Sequence, residues 1–141
     1  EMVGGANACL DMAVDYAKIR YAFSRPLGSY QSIKHRCAEM LGEIDGARSL
    51  VYFAAWAAEK DPQQLRIAAP AAKSYCGEAF SRAARENIQI HGGIGFTWEH
   101  DAHLYYKRAK LDELLLGTAH DFREELVQAL EAAQPVAAAA R

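Results

Sequence analysis

Residues 29 to 64 read SYQSIKHRCAEMLGEIDGARSLVYFAAWAAEKDPQQ, and this stretch decides the fold. Ile33, Cys37, Met40, Leu41, Ile44, Ala47, Val51, Ala54 and Ala58 recur at steps of three and four, which is the period of one helix face. At 3.6 residues per turn the helix runs about eight turns. Ser29 stands where an N-cap is expected. At the other end, Asp61-Pro62-Gln63-Gln64 combines a capping residue, a proline at the first helical position and a glutamine at the third, which starts another helix. Two long helices therefore meet at a turn of almost no length and must pack antiparallel.

Upstream, Val3, Ala6, Leu10, Ala13 and Ala17 form a helical face. No Ser, Thr, Asp or Asn caps it, so the chain reads as beginning inside or just before a helix that follows another domain. Arg25-Pro26-Leu27-Gly28 ends this first helix, because proline disfavours helix in the residue before it and glycine suits a turn. Downstream, Ala68, Ala72, Tyr75, Ala79, Ala83 and Ile88 continue the third helix to Gly92-Gly93. A shorter helix falls around Asp101 to Lys110. Thr118, with Asp121 three residues on, caps a last one bearing Phe122, Leu126 and Leu130. No run alternates β-branched with polar residues, so no sheet is expected. The fold class is all-α: an up-and-down four-helix bundle with an additional short helix over residues 1–133, and an alanine-rich tail, 134–141, expected to fray. Tyr52, Phe53 and Trp56 exceed what the core requires and suit subunit contacts as well as packing.

The 141 residues allow one domain with one core. A net charge of -2 argues against a nucleic-acid partner, which needs a dense basic surface. No segment reaches the roughly twenty apolar residues of a membrane span, and no charged-then-apolar leader opens the chain; a cytoplasmic location is the default expectation. Cys9, Cys37 and Cys76 are odd in number, far apart and each within an apolar stripe, and read as small buried hydrophobes of a reducing compartment.

Two segments are candidates for chemistry. In Gln89-Ile90-His91-Gly92-Gly93-Ile94-Gly95-Phe96, three glycines in four residues free the backbone for positive φ and close approach to a ligand; a helix C-cap with a tight turn accounts for them equally well. It is not a dinucleotide fingerprint, because no strand precedes it. In Arg20-Tyr21-Ala22-Phe23-Ser24-Arg25-Pro26-Leu27-Gly28, with Gln31 beyond, two cations and an aromatic ring suit a phosphate and a flat heterocycle, or simply complement a helix dipole. His100 and His103 lack further ligands of the right kind, so no metal is expected and they read as a solvated or hydrogen-bonded pair. Lys107, Arg108 and Lys110 read as a wet helix face.

Taken in order, the Arg-x-x-Phe-Ser-Arg-Pro-Leu-Gly turn, the Gln-Ile-His-Gly-Gly-Ile-Gly-Phe turn and the Gly117-Thr118 pair resemble the acyl-CoA dehydrogenase family over nearly the whole chain, which corresponds to that family's C-terminal helical domain. The resemblance implies α,β-dehydrogenation of an acyl-CoA thioester with FAD as the hydride acceptor and an electron-transfer flavoprotein or similar acceptor as partner. It implies an assembly of subunits, a homo- or hetero-oligomer, dimer or tetramer. It places Arg20, Phe23, Gln31, Gln89, Ile90, His91, Gly92 and Gly93 against the FAD of a neighbouring subunit, and Thr118 by the flavin. One departure stands out: the glutamate that many members carry directly before the Gly-Thr pair is here Leu116, which cannot accept a proton. The base is then expected upstream of Glu1, with Glu113, one turn before Leu116 and beside Lys110, as a less favoured substitute. Alternatively the chain belongs to a non-catalytic partner subunit of a heteromeric dehydrogenase. A free-standing bundle whose glycine turn is only a cap is the third reading.

Overall fold

The computed structural model of the chain describes residues 1–133; the predicted alanine-rich tail lies outside the described residues. Among the described residues there are five α-helices: α1 (Met2–Ile19), α2 (Gln31–Lys60), α3 (Pro62–His91), α4 (Ala102–Leu114) and α5 (Ala119–Ala133). The all-α bundle with one short extra helix is what the periodicity predicts. The α2–α3 corner is sharp for the expected reason. Asp61 Oδ1 accepts the N–H groups of Gln63 and Gln64, both at 3.1 Å, and Pro62 occupies the first helical position, where no N–H is needed.

α1 stops at Ile19 rather than running to Arg25. Phe23 and Ser24 take positive φ (51° and 66°), which folds Tyr21–Ala22 (β1) back on Arg25–Pro26 (β2) as a minimal antiparallel ladder. No alternation of polarity announces so short a pair, since two residues a side carry no periodicity. The ladder leads into a 3-10 turn, Leu27–Ser29. Ser29 is not the cap of α2: its Oγ donates to the Pro26 carbonyl at 2.7 Å, and Tyr30 holds the N-cap position without a side-chain cap bond. Tyr30 instead braces the hairpin. Its hydroxyl donates to the Ala22 carbonyl at 2.7 Å, and the Arg25 guanidinium lies 3.9 Å from its ring centroid.

α3 is the central helix and touches every other one. Gly5 lies against Phe80 and Tyr16 against His91; both pairs advance together along the chain, so α1 and α3 run parallel, side by side. Ion pairs Arg36–Glu86 and Arg82–Glu43 run in the opposite order and fix α2 antiparallel to α3. The core between them is built from small residues around three large ones: Phe80, Met40 and Ile44 are the largest hydrophobic side chains fully buried, among Ala6, Ala13, Ala83 and Ala84. Alanine at these positions lets the axes approach closely enough for one layer of large side chains to fill the gap. The α2 stripe is narrower than its period suggests. Met40, Ile44, Ala47 and Ala57 are buried, while Leu41, Val51 and Ala58 face outward. Tyr75 on α3 and Leu130 on α5 are also exposed.

α4 returns along α3, and α5 lies on α3 through the Arg123–Glu78 ion pair and the Phe122 ring, 5.3 Å from Lys73 Nζ. The start of α5 carries the expected cap: the Asp121 carboxylate accepts from both the Thr118 N–H and hydroxyl at 2.8 Å. No helix of the described residues is long and apolar enough to cross a membrane.

Candidate functional site

The two singled-out turns, some seventy residues apart in sequence, lie at the same end of the bundle. Because α1 and α3 run parallel and end in step, the Tyr16 ring stacks on His91 with centroids 4.3 Å apart. The Arg20–Gly28 hairpin leaves α1 just beyond that contact, and the Gly92–Phe96 segment leaves α3 just beyond it as a 3-10 turn. Gly92 caps α3 at φ +64°, a conformation that favours glycine. Gly95 is held for a second reason. A Cβ there would stand 2.8 Å from the Ile88 carbonyl oxygen and 3.1 Å from His91 Cβ, so the turn is pressed onto the last turn of α3.

This end of the molecule is apolar and open. Ile19, Tyr21, Phe23, Ile94, Phe96 and Trp98 are all exposed, Phe23 to 94 %. Arg20, Gln31, Gln89, Gly92 and Gly93 are exposed beside them, and Arg20 makes no ion pair among the described residues. A Cβ on Gly92 or Gly93 would meet nothing within 4 Å, so their backbone is open to an approaching group. The end thus offers an unpaired cation, an exposed aromatic ring and bare backbone together. Ile90 and His91, by contrast, are buried and face inward; they support the turn from beneath.

Thr118 is not part of this cluster within the chain. α4 starts beside His91 and ends where Lys73 Nζ donates to the Asp112 carbonyl at 2.9 Å, about 27 Å back along α3 at 1.5 Å per residue. Leu116 lies there too. α4 ends at Leu114, so Glu113 and Leu116 are not successive turns of one helix face as expected. Leu116 takes φ 68° and is 86 % exposed, an uncommon conformation for a bulky residue. Glu113 is engaged elsewhere: its Oε2 accepts from Lys110 Nζ at 2.6 Å and from Ser81 Oγ at 2.9 Å. The Lys110 bond, helped by Ser81, holds its carboxyl below the ordinary carboxylate value. The side chain is therefore an anion of weakened basicity.

Close to Leu116, residues Met2, Val3, Val51, Ala54, Ala72, Cys76 and Leu115 line a largely apolar cavity of about 390 Å³, with Lys73 and Asp112 on its wall. Asp112 is buried and has Arg108 Nε 3.0 Å from Oδ1, a charge contact without hydrogen-bond alignment; Arg108 also pairs with Glu1. Lys107, Arg108 and Lys110 are exposed, as the wet-face reading has them, but Arg108 also reaches the buried Asp112 from the edge of that face. No spacing in the sequence signals this network, which joins the first residue to the end of α4. The histidine pair divides in a similar way. His100 faces inward, its ring centroid 4.2 Å from that of His91, while His103 turns outward to Trp98, 4.8 Å away.

The bundle thus carries a glycine turn beside a hairpin at one end and a Gly-Thr helix start at the other. Residues 1–131 match the acyl-CoA dehydrogenase C-terminal domain, and the chain belongs to that family. It is 44 % identical over 126 residues to the acyl-CoA dehydrogenase IpdE2 of Mycobacterium tuberculosis, covering 89 % of this chain and 38 % of that protein. Among solved structures, butyryl-CoA dehydrogenase from Megasphaera elsdenii superposes with a TM-score of 0.87 at 32 % identity, over 92 % of this chain and 34 % of that one. The ChsE4-ChsE5 complex from Mycobacterium tuberculosis gives 0.87 at 32 %, over 95 % and 36 %. The chain thus spans little more than a third of the length of these relatives.

Proposed function

We propose that this chain is the flavin-contacting and oligomer-forming domain of an FAD-dependent acyl-CoA dehydrogenase that introduces an α,β double bond into an acyl-CoA thioester. The observation that carries the reading is the hairpin end of the bundle, where Arg20 without a partner, the exposed Phe23 ring and the bare Gly92–Gly93 backbone stand together. These groups fit an FAD held mainly by another subunit: a guanidinium for the pyrophosphate, a ring for packing on the heterocycle and glycines for close approach. Six large apolar side chains at one end exceed what an isolated domain leaves in water and suit burial against a second subunit. When bound, the flavin supplies hydride acceptance, and reoxidation requires an electron-transfer flavoprotein or similar acceptor. At the hairpin end, residues of this chain would hold the neighbouring subunit's flavin, with Gln31 and Gln89 offering amide hydrogen bonds at the rim; Thr118, at the other end of the bundle, would lie by a flavin there and not by that one.

Leu116 occupies the place from which many family members draw the catalytic base, and it has no ionisable group. Glu113 is committed to Lys110 and Ser81. The base therefore comes from chain upstream of Glu1, or the subunit is the silent partner of a catalytic one. Leu116 is compatible with either; the upstream base is the preferred reading, and the likeness to the two-protein ChsE4-ChsE5 complex keeps the silent partner as its alternative. The test uses the longer protein that carries this domain, purified with and without its genomic neighbour. Flavin content and turnover on short, long, branched and ring-bearing CoA esters are measured for wild type and Arg20→Ala. Lower flavin retention in Arg20→Ala is expected; full retention removes Arg20 from the site, and turnover only in the presence of the neighbour selects the heteromer.

A further inference from the structure

We propose that Tyr16, His91 and His100 form a proton-sensitive clasp, which holds the Gly92–Phe96 turn in place while both imidazoles are neutral. The three rings form one cluster across three parts of the chain: Tyr16 from α1 stacks on His91 at the end of α3, and His100 from the segment entering α4 is tilted at 45° against His91. Each imidazole is fixed in one tautomer by its partner, and the two tautomers differ. His91 Nδ1 lies 2.8 Å from the Asn87 carbonyl, which only accepts, so Nδ1 carries the proton. His100 Nδ1 accepts the Ala102 N–H at 3.1 Å, so Nδ1 is bare and the proton sits on Nε2.

Protonation therefore acts differently at the two rings. At His100 it places a proton on the nitrogen that receives the Ala102 N–H. The first N–H of α4 loses its acceptor, and a cation appears at a helix N-terminus, where the dipole disfavours it. At His91 the added charge enters a site 5 % exposed. Burial holds its pKa below the ordinary 6.5, the Asn87 carbonyl opposes this, and His100 adds to the lowering. Tyr16 presents a ring, Asn87 a carbonyl and Ala102 an N–H, and no carboxylate of the described residues pairs with the imidazole. A tyrosine face attracts a cation only weakly, and burial is the largest influence on His91. A Cβ on Gly95 would stand 3.1 Å from His91 Cβ, so the turn lies close on His91 and a displacement of that residue, beyond a rotation of its ring, reaches it.

The sign follows from linkage. A folded-state pKa below the unfolded one means that the contribution of neutral His91 is complete above pH 6.5 and is lost progressively as pH falls from there to the lower folded value. The clasp stands on its own geometry; only its effect on cofactor retention rests on the function proposed above.

The experiment is a pH titration of the longer protein that carries this domain, by nitrogen-15 NMR from pH 8 to 5, on wild type and His100→Asn. The asparagine Oδ1 keeps an acceptor for the Ala102 N–H but does not titrate. At pH 8, His91 is expected protonated on Nδ1 and His100 on Nε2. On acidification the amides of Gly92 to Phe96 and of Ala102 should shift together in wild type, with a smaller amplitude in His100→Asn. Turn amides that stay still while both rings titrate overturn the clasp, as does a His91 midpoint at or above 6.5. Flavin retention by the longer protein over the same range separates the two readings. A turn that moves while flavin stays bound supports the clasp and counts against flavin contact by the turn.

Discussion

Replacing Gly5 by alanine tests the close passage of α1 over α3. An ideal Cβ at Gly5 would lie 2.4, 2.7 and 2.9 Å from three atoms of the Phe80 ring, against about 3.4 Å for ordinary contact. Phe80 is 1 % exposed and cannot swing aside. Overpacking of this kind costs about 1–3 kcal/mol, and three ring atoms inside 3.0 Å place the site toward the upper end. Glycine to alanine within a helix returns up to about 1 kcal/mol of propensity, which leaves a net loss of about 1–2 kcal/mol. Gly42, in the middle of α2, is the control, since a Cβ there meets nothing within 4 Å. Gly42→Ala should stabilise by up to about 1 kcal/mol. Urea unfolding of both variants and of Gly5→Ala/Phe80→Leu reads the result. The double variant should be less damaged than the two single losses added together, because shortening the ring relieves the clash. If Gly5→Ala proves as stabilising as Gly42→Ala, the parallel α1–α3 packing described here is wrong.

Removing the cap at the sharp corner should also be measurable. Asp61→Ala leaves the Gln63 and Gln64 N–H groups without their side-chain acceptor, at a cost of about 0.5–2 kcal/mol of stability, read as a lower urea midpoint; an unchanged midpoint would show that water replaces the carboxylate without loss. The cysteines should differ in reactivity. Cys37 is half-buried, whereas Cys9 and Cys76 are buried, and burial pushes the Cys9 thiol up to about 12. At pH 8 a thiol reagent should modify Cys37 first and the other two only on unfolding, because the thiolate is the reactive form. Early modification of Cys9 would contradict the core as described.

The helices were legible because each carries its own signal: a period of three and four, a cap such as Asp61 or Thr118, a stop such as Gly92. Where a local rule misled, a nearby competitor had taken the group. Ser29 caps nothing because its hydroxyl is spent on the Pro26 carbonyl, and α1 ends early because Tyr30 and Arg25 stabilise a hairpin in its place. The narrow α2 stripe has a different cause. A helix face has the width its partners allow, and α3 and α1 together cover Met40, Ile44 and Ala47 but leave Leu41 and Val51 outside.

The sequence by itself determined the number and order of the helices, the corner at Asp61-Pro62, the cap at Thr118 and the family, since all of these are written in residues close together along the chain. The tertiary structure alone decided that α1 runs parallel to α3, that both candidate turns share one end, and that His91 lies between the Tyr16 and His100 rings while Thr118 stands at the other end. It also buried Asp112 against Arg108. The physical reason is the same throughout. Hydrogen bonds within a helix close over four residues and leave a local imprint, whereas packing joins side chains up to a hundred residues apart through shape, and shape has no period to read.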